Sequence, residues 1–257
     1  MNIVTLTTDF GSQDPFGAIL KGVIAGRAPT ARVIDVTHGV PPHDVLAGAL
    51  ILRHTVPYFP PRTIHLVVVD PGVGSERRAL CVETQRALLV GPDNGVLSLA
   101  ASLLEIRRIV HLTDDRFFVS PRSGTFHGRD VFAPVAAALA TGRAPSALGE
   151  TVGEMAQVSV PPVRRDAERL SGAVIYVDRF GNLVTNIDAD LLAAGAPAVQ
   201  VAGHRVAGVS PSYGAVERGA LVAVVNSWGL LEIAARDGSA AAKLGGGVGT
   251  PVIVERT

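Results

Sequence analysis

The run Thr63–Asp70 has the sequence TIHLVVVD, and two similar runs precede it, IVTLTTD at Ile3–Asp9 and RVIDVT at Arg32–Thr37. Continuous apolar runs of this length are typical of strands buried on both faces of a parallel sheet. The intervening segments Pro15–Ala28 and Pro42–Thr55 have helical length, and each has a proline near its start, where the missing N–H costs nothing. The alternation of strands and helices predicts an α/β fold built from βαβ crossovers.

The character of the sequence changes after residue 158. Residues 159–171 are rich in proline and arginine and show no sustained apolar period, which predicts a linker. From residue 172 onward, short β-branched runs follow one another at hairpin spacing with glycine-bearing turns. The sequence therefore predicts two domains, a mostly parallel α/β domain over residues 1–158 and a smaller antiparallel, barrel-like β domain over residues 172–257.

The composition is that of a folded protein without a strongly charged partner. Lysine and arginine number 23 and are balanced by 23 acidic residues, which argues against nucleic-acid binding. No apolar run approaches the roughly 20 residues that span a bilayer, and the first residues lack the basic segment of a signal peptide. Cys81 is the single cysteine, so no internal disulfide can form. We expect a cytoplasmic protein that binds neither a membrane nor nucleic acid.

Aspartates follow two of the predicted parallel strands. Asp9 closes the first strand and Asp70 the third. Ligands of α/β sheets collect outside the carboxyl ends of the strands, where such a carboxylate can accept ribose hydroxyls or act as a base. Each aspartate could equally cap the turn that follows it, and the pattern alone leaves both interpretations open.

Asp70 has two potential partners. Arg77 follows it after a short loop that begins Pro-Gly-Val-Gly, and His127 stands in GTFHGRD just before a predicted helix. If the three side chains converge, a carboxylate, a guanidinium and an imidazole could hold and polarise one water molecule. The sequence predicts this chemistry as one alternative, the other being a histidine that only caps a helix or faces solvent.

Other common sites are not supported by the motifs. His38, His43 and Asp44 are close in sequence, but two prolines and a five-residue gap prevent a paired arrangement on one helix, and no HExxH or CxxC motif occurs. We therefore predict no metal. GxSxG and GxGxxG are also missing from the sequence, which argues against a serine hydrolase and a Rossmann dehydrogenase.

The predicted β domain carries polar side chains in its turns. Asp178 and Asn182 belong to DRFGNLVTN, and Asn226 and Ser227 to NSWGLLEIA. These are ordinary hairpin residues, but they are also the groups that a nucleoside or an amino acid would need. Both interpretations remain open on the pattern alone.

Seven segments together resemble the S-adenosyl-L-methionine (SAM) hydroxide adenosyltransferases, which are relatives of the adenosyl-fluoride and adenosyl-chloride synthases. They occur in family order along nearly the whole chain: TTDFG, HGVPPHD, VVVDPGVGSERR, GPDNG, TFHGRD, DRFGNLVTNI and NSWGLLEIA. The resemblance implies an N-terminal α/β domain, a C-terminal β-barrel-like domain and a homotrimer with sites between subunits. It also implies the reaction, in which water attacks ribose C5′ of SAM and releases adenosine and L-methionine, with SAM as substrate and no further cofactor.

The resemblance also assigns residues. The water-activating triad of the family falls on Asp70, Arg77 and His127, and the sequence does not say which of the three takes the proton. The substrate-binding positions are Asp9 for the ribose diol, Phe126 for the ribose, Asn182 and Tyr213 for adenine, and Asp178, Ser227 and Asp14 for the methionine head. Halogen-transferring relatives have an arginine where this chain has Trp228, so the partner of the methionine carboxylate is left open.

Two positions favour water over halide as the nucleophile. The halogen-transferring relatives have a tyrosine at the position of Asp70 and a halide-binding serine at that of Gly128, and a carboxylate beside a halide would repel it. Only 13 residues separate Arg77 from Gly91, which leaves little room for the insertion of those relatives. We expect a SAM hydrolase. The alternatives are a SAM-dependent halide transferase and a non-catalytic sensor of adenosine or SAM.

Overall fold

The computed structural model describes residues 2–192 and 198–255. The chain divides into two compact units, the first ending at Val158 and the second beginning at Ser159. Each unit has a hydrophobic core of its own, and each is built on one sheet.

The first unit has a mixed sheet. Its strands are β1 (Ile3–Thr8), β2 (Arg32–Thr37), β3 (Thr63–Val68), β4 (Ala79–Thr84), β5 (Ala87–Pro92), β6 (Ile106–Leu112) and β7 (Gly149–Val152). They lie in the order β2-β1-β3-β5-β4-β6-β7, and the first four of this order are parallel, whereas β4, β6 and β7 pair antiparallel. The predicted α/β class is confirmed. Strand β6 was not predicted, because Arg107 and Arg108 interrupt its apolar pattern near an exposed end.

Four helices cover this sheet: α1 (Phe16–Arg27), α2 (Val45–Thr55), α3 (Ser98–Leu104) and α4 (Ala133–Ala140). Helices α1 and α4 pack together over Leu6, Leu66 and Phe132, all of which are fully buried. Helix α2 begins three residues later than the proline pattern suggested, because the Asp44 carboxylate accepts the Ala47 N–H at 2.9 Å and caps the helix. A π-helical turn at Gly128–Phe132 precedes α4.

The second unit is a largely antiparallel sheet, which confirms the predicted β class. Its strands are β8 (Arg164–Arg165), β9 (Arg169–Val177), β10 (Leu183–Asp188), β11 (Val199–Val201), β12 (His204–Val206), β13 (Val209–Ser210), β14 (Leu221–Val225), β15 (Leu230–Ala235) and β16 (Pro251–Glu255), and helix α5 covers Ala240–Leu244. The strands lie in the order β12-β11-β16-β9-β10-β15-β14-β13, and β8 lies beside β9. Among the described strands of this unit, only the β13–β14 pair is parallel.

The segment 159–171, predicted as a linker, contains regular structure. Strand β8 pairs antiparallel with the first residues of β9 inside this segment. Arg164 and Arg165 are exposed, and an edge strand that buries no side chain produces no apolar period in the sequence. The linker prediction was therefore too long at its C-terminal end.

Candidate active site

The carboxyl edge of the first unit's sheet brings Asp9 and Asp70 together. Strands β1 and β3 are parallel neighbours, and Thr8 pairs with Val68. Asp9 and Asp70, which follow these residues, line one cavity of about 260 Å³. His127 and Phe126 line the same cavity, so four of the predicted residues share one site.

Asp70 and Arg77 form a nearly buried ion pair, with side chains 6% and 9% exposed. Arg77 Nε donates to both carboxylate oxygens, at 2.8 and 3.1 Å, and Nη2 donates to Oδ2 at 2.5 Å. This bidentate contact fixes the orientation of both groups more tightly than a single hydrogen bond would. The guanidinium also lies over the ring of Phe132, 5.4 Å from its centroid, so its position is held from two sides.

His127 completes the cluster. Arg77 Nη2 lies 2.8 Å from His127 Nδ1. A guanidinium can only donate hydrogen bonds, so Nδ1 is the acceptor and the neutral ring carries its proton on Nε2. Burial and the charge of Arg77 both lower the pKa of His127 below its ordinary value of 6.5. Arg77 thus donates hydrogen bonds both to the negative Asp70 carboxylate and to the neutral His127 imidazole.

We expect the pH dependence of the SAM hydrolysis that the family resemblance implies to reflect this lowered pKa. At pH 7 the ring is neutral, and only at pH values below the ordinary 6.5 would it gain a proton, lose its bond from Arg77 and be repelled by the guanidinium. Adenosine formation should be constant above pH 7 and fall at lower pH. In the same acidic window the unfolded chain binds the proton more readily than the folded chain, so stability should also fall with pH.

The matched variant for this prediction is His127→Gln, which keeps an acceptor beside Arg77 but does not titrate. Initial rates of adenosine formation are measured from pH 5 to 8. The acid limb, which is the fall in rate below pH 7, should be smaller in the variant by the part that His127 contributes. An unchanged limb in the variant would assign that titration to another group.

Two loops approach each other closely at Gly74 and Gly124. Gly74 has φ +79°, and a Cβ atom placed on it would lie 2.3 Å from the Gly124 carbonyl oxygen. The first loop carries Arg77 and the second carries His127, so this glycine contact allows the two side chains to meet. Only glycine satisfies both the backbone angle and the space.

Gly74→Ala should therefore separate the two loops. The positive φ alone costs about 1 kcal/mol, and the clash with backbone adds to it. We expect a loss of thermal stability together with a larger loss of adenosine formation. Gly153→Ala is the matched control, because a Cβ atom there meets nothing within 4 Å. Normal activity of Gly74→Ala would show that the loop contact does not set the Arg77–His127 distance.

The segment GPDNG at residues 91–95 anchors the loop between Asp70 and Arg77 at both ends. Asn94 Nδ2 donates to the carbonyl oxygen of Val69 at 2.8 Å, directly before Asp70. The Asp93 carboxylate accepts Arg78 Nε at 2.7 Å, directly after Arg77. The turn thus holds the backbone on either side of the ion pair.

Asp130 anchors the loop that carries His127. Its side chain is fully buried and accepts Arg129 Nε at 2.6 Å and the Ser123 N–H at 2.7 Å. Burial by itself would raise the pKa of Asp130, but these hydrogen bonds and the Arg129 charge outweigh it and lower the pKa. The carboxylate therefore stays charged and closes the loop 123–130.

Three phenylalanine rings form one wall of the cavity. The ring of Phe126 lies 5.8 Å from that of Phe10 and 5.2 Å from that of Phe16, in edge-to-face contacts. A Cβ atom on Gly128 would lie 3.2 Å from Phe126 Cε2, so a glycine at this position leaves room for the ring. Phe10 and Phe16 were not predicted as site residues, although Phe10 stands beside Asp9 in TTDFG.

His43 also lines this cavity, a role that its sequence context, weighed only for metal binding, did not predict. Its backbone N–H donates to Asp9 Oδ2 at 2.9 Å, and its φ of +66° is unusual for a residue other than glycine. Among the described residues, no group of three or more His, Cys, Asp or Glu side chains is placed to hold a metal ion. The HGVPPHD segment serves here to orient Asp9.

The second unit has a cavity of about 690 Å³, and three predicted residues line it, Asp178, Asn182 and Tyr213. Asp178 Oδ1 accepts the N–H of Asn182 and Oδ2 accepts its side-chain amide, both at 2.9 Å. The amide oxygen of Asn182 is left as an acceptor. Phe180, 76% exposed, lines the cavity as well; it was missed because an aromatic residue in a turn gives no periodic signal.

The side chain of Tyr213 is oriented by a hydrogen bond to the buried carboxylate of Glu232. Its hydroxyl donates to Glu232 Oε1 at 2.8 Å, and Asn226 Nδ2 donates to Glu232 Oε2 at 3.0 Å. Burial, this hydrogen bond and the charges of Glu232 and Asp178 raise the pKa of Tyr213 to about 12, so the phenol keeps its proton. Glu232 was not predicted as a site residue, although it lies in the segment NSWGLLEIA.

Asp14 and Ser227, the other two predicted binding residues, are exposed and line neither of these cavities. Ser227 lies in the turn whose ends are joined by Asn226 Oδ1, which accepts the N–H groups of Trp228 and Leu230. Trp228 stacks near Tyr176, with ring centroids 5.4 Å apart. The assignment of Asp14 and Ser227 to the methionine head remains a prediction.

An α/β unit with a charged cluster at its carboxyl edge, followed by a β unit with a polar and aromatic cavity, defines a two-domain enzyme acting on a small molecule. The sequence matches the SAM hydroxide adenosyltransferase N-terminal domain over residues 4–149 and the corresponding C-terminal domain over residues 172–253. The chain belongs to this family, as the resemblance had indicated.

Similar proteins include two curated (R)-S-adenosyl-L-methionine hydrolases. The protein from Salinispora arenicola is 44% identical, covering 93% of this chain and 92% of its own length, and that from Thermus thermophilus is 41% identical, covering 98% and 99%. A solved structure of a conserved protein from Thermotoga maritima covers all of both chains with a TM-score of 0.91 and 33% identity. A fluorinase from Actinoplanes sp. is a more distant relative, 24% identical over 72% of this chain and 71% of its own.

None of the described helices is long and apolar enough to cross a membrane.

Proposed function

We propose that this chain hydrolyses S-adenosyl-L-methionine to adenosine and L-methionine, using a water molecule held by Asp70, Arg77 and His127 to attack ribose C5′. The observation that carries the proposal is the hydrogen-bonded cluster of these three side chains at the cavity of the α/β unit. Membership of the family and the similarity to the two (R)-S-adenosyl-L-methionine hydrolases support the substrate and the reaction.

Catalysis of this reaction mainly requires correct placement of the nucleophile, which is water. The sulfonium leaves as a neutral thioether, so no acid is needed at sulfur, and the water must be aligned behind the C5′–S bond. Fixed geometry of this kind can supply roughly 7–11 kcal/mol of barrier reduction. Asp70 is the acceptor for a water proton, and Arg77 stabilises developing hydroxide while keeping the carboxylate in place. Because the three groups are hydrogen-bonded to one another, their protonation is coupled, and a proton taken up by Asp70 is shared within the cluster.

The remaining predicted residues are proposed as substrate contacts. Asp9, oriented by the His43 N–H, accepts the ribose diol, and Phe126 packs on the sugar. The cavity of the β unit takes the adenine, with the Asn182 amide oxygen as acceptor for its exocyclic amine and Tyr213 and Phe180 as aromatic walls. Asp178, Ser227 and Asp14 are proposed for the methionine head, the first two from the family and the third as the weaker candidate.

We also propose the homotrimer that the family resemblance implies, with each site shared by the α/β unit of one subunit and the β unit of the next. The α/β cavity of about 260 Å³ is smaller than most small-molecule pockets, which measure roughly 300–1,000 Å³, and this supports a site that a second surface completes. Mixing inactive Asp70→Asn subunits with inactive Asn182→Ala subunits tests the sharing. Recovered activity after refolding together supports it, and no recovery contradicts it.

A cytoplasmic location is part of the proposal. The single cysteine, Cys81, is buried, and burial raises the pKa of its thiol to about 12, so it offers neither a disulfide nor a reactive thiolate.

The decisive experiment is hydrolysis of SAM in water enriched in ¹⁸O. Attack at C5′ places the label in the 5′-hydroxyl of adenosine, and adenosine and methionine should appear in equal amounts by liquid chromatography and mass spectrometry. Unlabelled adenosine would contradict the proposed attack. A 5′-halo-adenosine that rises with added chloride or fluoride would indicate halide transfer. Tight adenosine binding by calorimetry, with SAM loss no faster than its spontaneous decay, would indicate a sensor.

A further inference from the structure

A second cavity of the α/β unit, of about 310 Å³, lies at the edge of the sheet opposite to Asp9 and Asp70. Strands β3, β5 and β6 begin at this edge and β4 ends there. The turn between β4 and β5 and the chain that follows α4 form its walls. Four arginines line it: Arg62, Arg86, Arg107 and Arg143.

These four guanidinium groups lack acidic partners. Across residues 2–192 and 198–255, none of them forms an ion pair with a carboxylate, and the weak bond of Arg86 Nη2 to the Pro57 carbonyl oxygen is 3.5 Å long. Glu83 is the one acidic residue among the described residues lining the cavity, and it faces Arg108, 3.8 Å away. Four positive groups therefore meet one partly neutralised carboxylate, in a chain of zero net charge.

The backbone around the cavity is held in place. The Arg62 N–H donates to the Arg86 carbonyl oxygen at 2.6 Å, which joins two of the arginines. The N–H groups of Thr141, Gly142 and Arg143 cap the last carbonyl groups of α4, each at 3.0 Å. This capping satisfies the last carbonyl oxygens of α4 and fixes the backbone that carries Arg143.

We propose that this cavity binds a small anion that carries a diphosphate group. Guanidinium groups present paired N–H donors that match phosphate oxygens, and several such groups suit a ligand with several charged oxygens. The volume is at the lower end of the small-molecule range of roughly 300–1,000 Å³, which fits a metabolite rather than a nucleic-acid helix. This site is separate from the SAM chemistry and does not rest on it.

Calorimetric titration of the full-length protein with inorganic pyrophosphate tests the proposal. We expect saturable binding to the unaltered protein, weakened about tenfold or more in Arg86→Gln/Arg107→Gln, because each substitution removes charge-assisted hydrogen bonds to phosphate oxygens. The matched control is Arg164→Gln/Arg165→Gln, which removes the same charge from exposed positions outside the cavity. Its affinity should stay within about twofold, since scattered surface charges contribute little.

A parallel titration with ATP identifies the source of the diphosphate. Competition between ATP and pyrophosphate would support a nucleotide ligand, and pyrophosphate binding alone would support the free anion. Absence of pyrophosphate binding, or an equal loss of affinity in both double variants, would overturn the proposal. The rate of adenosine formation serves as the folding control, because these arginines lie outside the proposed catalytic and substrate-binding residues.

Discussion

Asp70→Asn is expected to lower the rate of adenosine formation from SAM by roughly 10²–10⁴-fold, the range that a positioned proton acceptor contributes. The asparagine amide keeps the shape of the carboxylate but cannot take a proton from water. It also places an N–H₂ group among the donors of Arg77, whose Nε and Nη2 now contact both carboxylate oxygens. Initial rates followed by liquid chromatography measure the effect.

The matched control for this substitution is Asp190→Asn, at an exposed aspartate of the β unit that lines neither cavity. It removes the same charge and should leave the rate unchanged. Binding of adenosine to Asp70→Asn, measured by calorimetry, should persist, because the proposed nucleoside contacts lie elsewhere. Full activity of Asp70→Asn would remove this carboxylate from the mechanism and leave the geometry of the cluster without a catalytic role.

The strand and helix pattern could be predicted because buried parallel strands are continuous in sequence. Three strands and two helical segments follow from apolar runs and prolines alone. Strand β6 and the hairpin of β8 and β9 could not, because arginines occupy their exposed positions and leave no apolar period. Strand β6 pairs with β4 and β7, which are distant from it in sequence, and β8 pairs with β9 without burying a side chain, so the apolar pattern of either segment does not predict its pairing.

The candidate site was predictable only in its chemistry. The spacing of Asp70, Arg77 and His127 left open whether they converge, and the structure brings the three side chains into contact. The two loops that carry Arg77 and His127 approach each other at two glycines, Gly74 and Gly124. Glycines are frequent in this chain, and nothing local distinguishes these two. The supporting contacts, such as Asn94 to the Val69 carbonyl, depend on tertiary positions that no spacing rule contains.

Arg77→Gln is expected to have the largest combined effect on stability and activity. It leaves the Asp70 carboxylate, 6% exposed, without its charged partner, and removing one member of a buried ion pair costs about 3–5 kcal/mol. It also removes the bond that holds His127 Nδ1. We expect a clear fall in the urea midpoint of unfolding and the loss of measurable adenosine formation.

The double variant Asp70→Asn/Arg77→Gln separates these two losses. With the carboxylate neutralised, no buried charge is left unpaired, so the double variant should be more stable than Arg77→Gln alone even though it carries one more substitution. Its activity should remain as low as that of either single variant, because residues that act as one unit are not additive in catalysis. A double variant as unstable as Arg77→Gln would mean that the guanidinium stabilises the fold through Phe132 and the loop rather than through Asp70. The ion pair would then be incidental to the stability of the site.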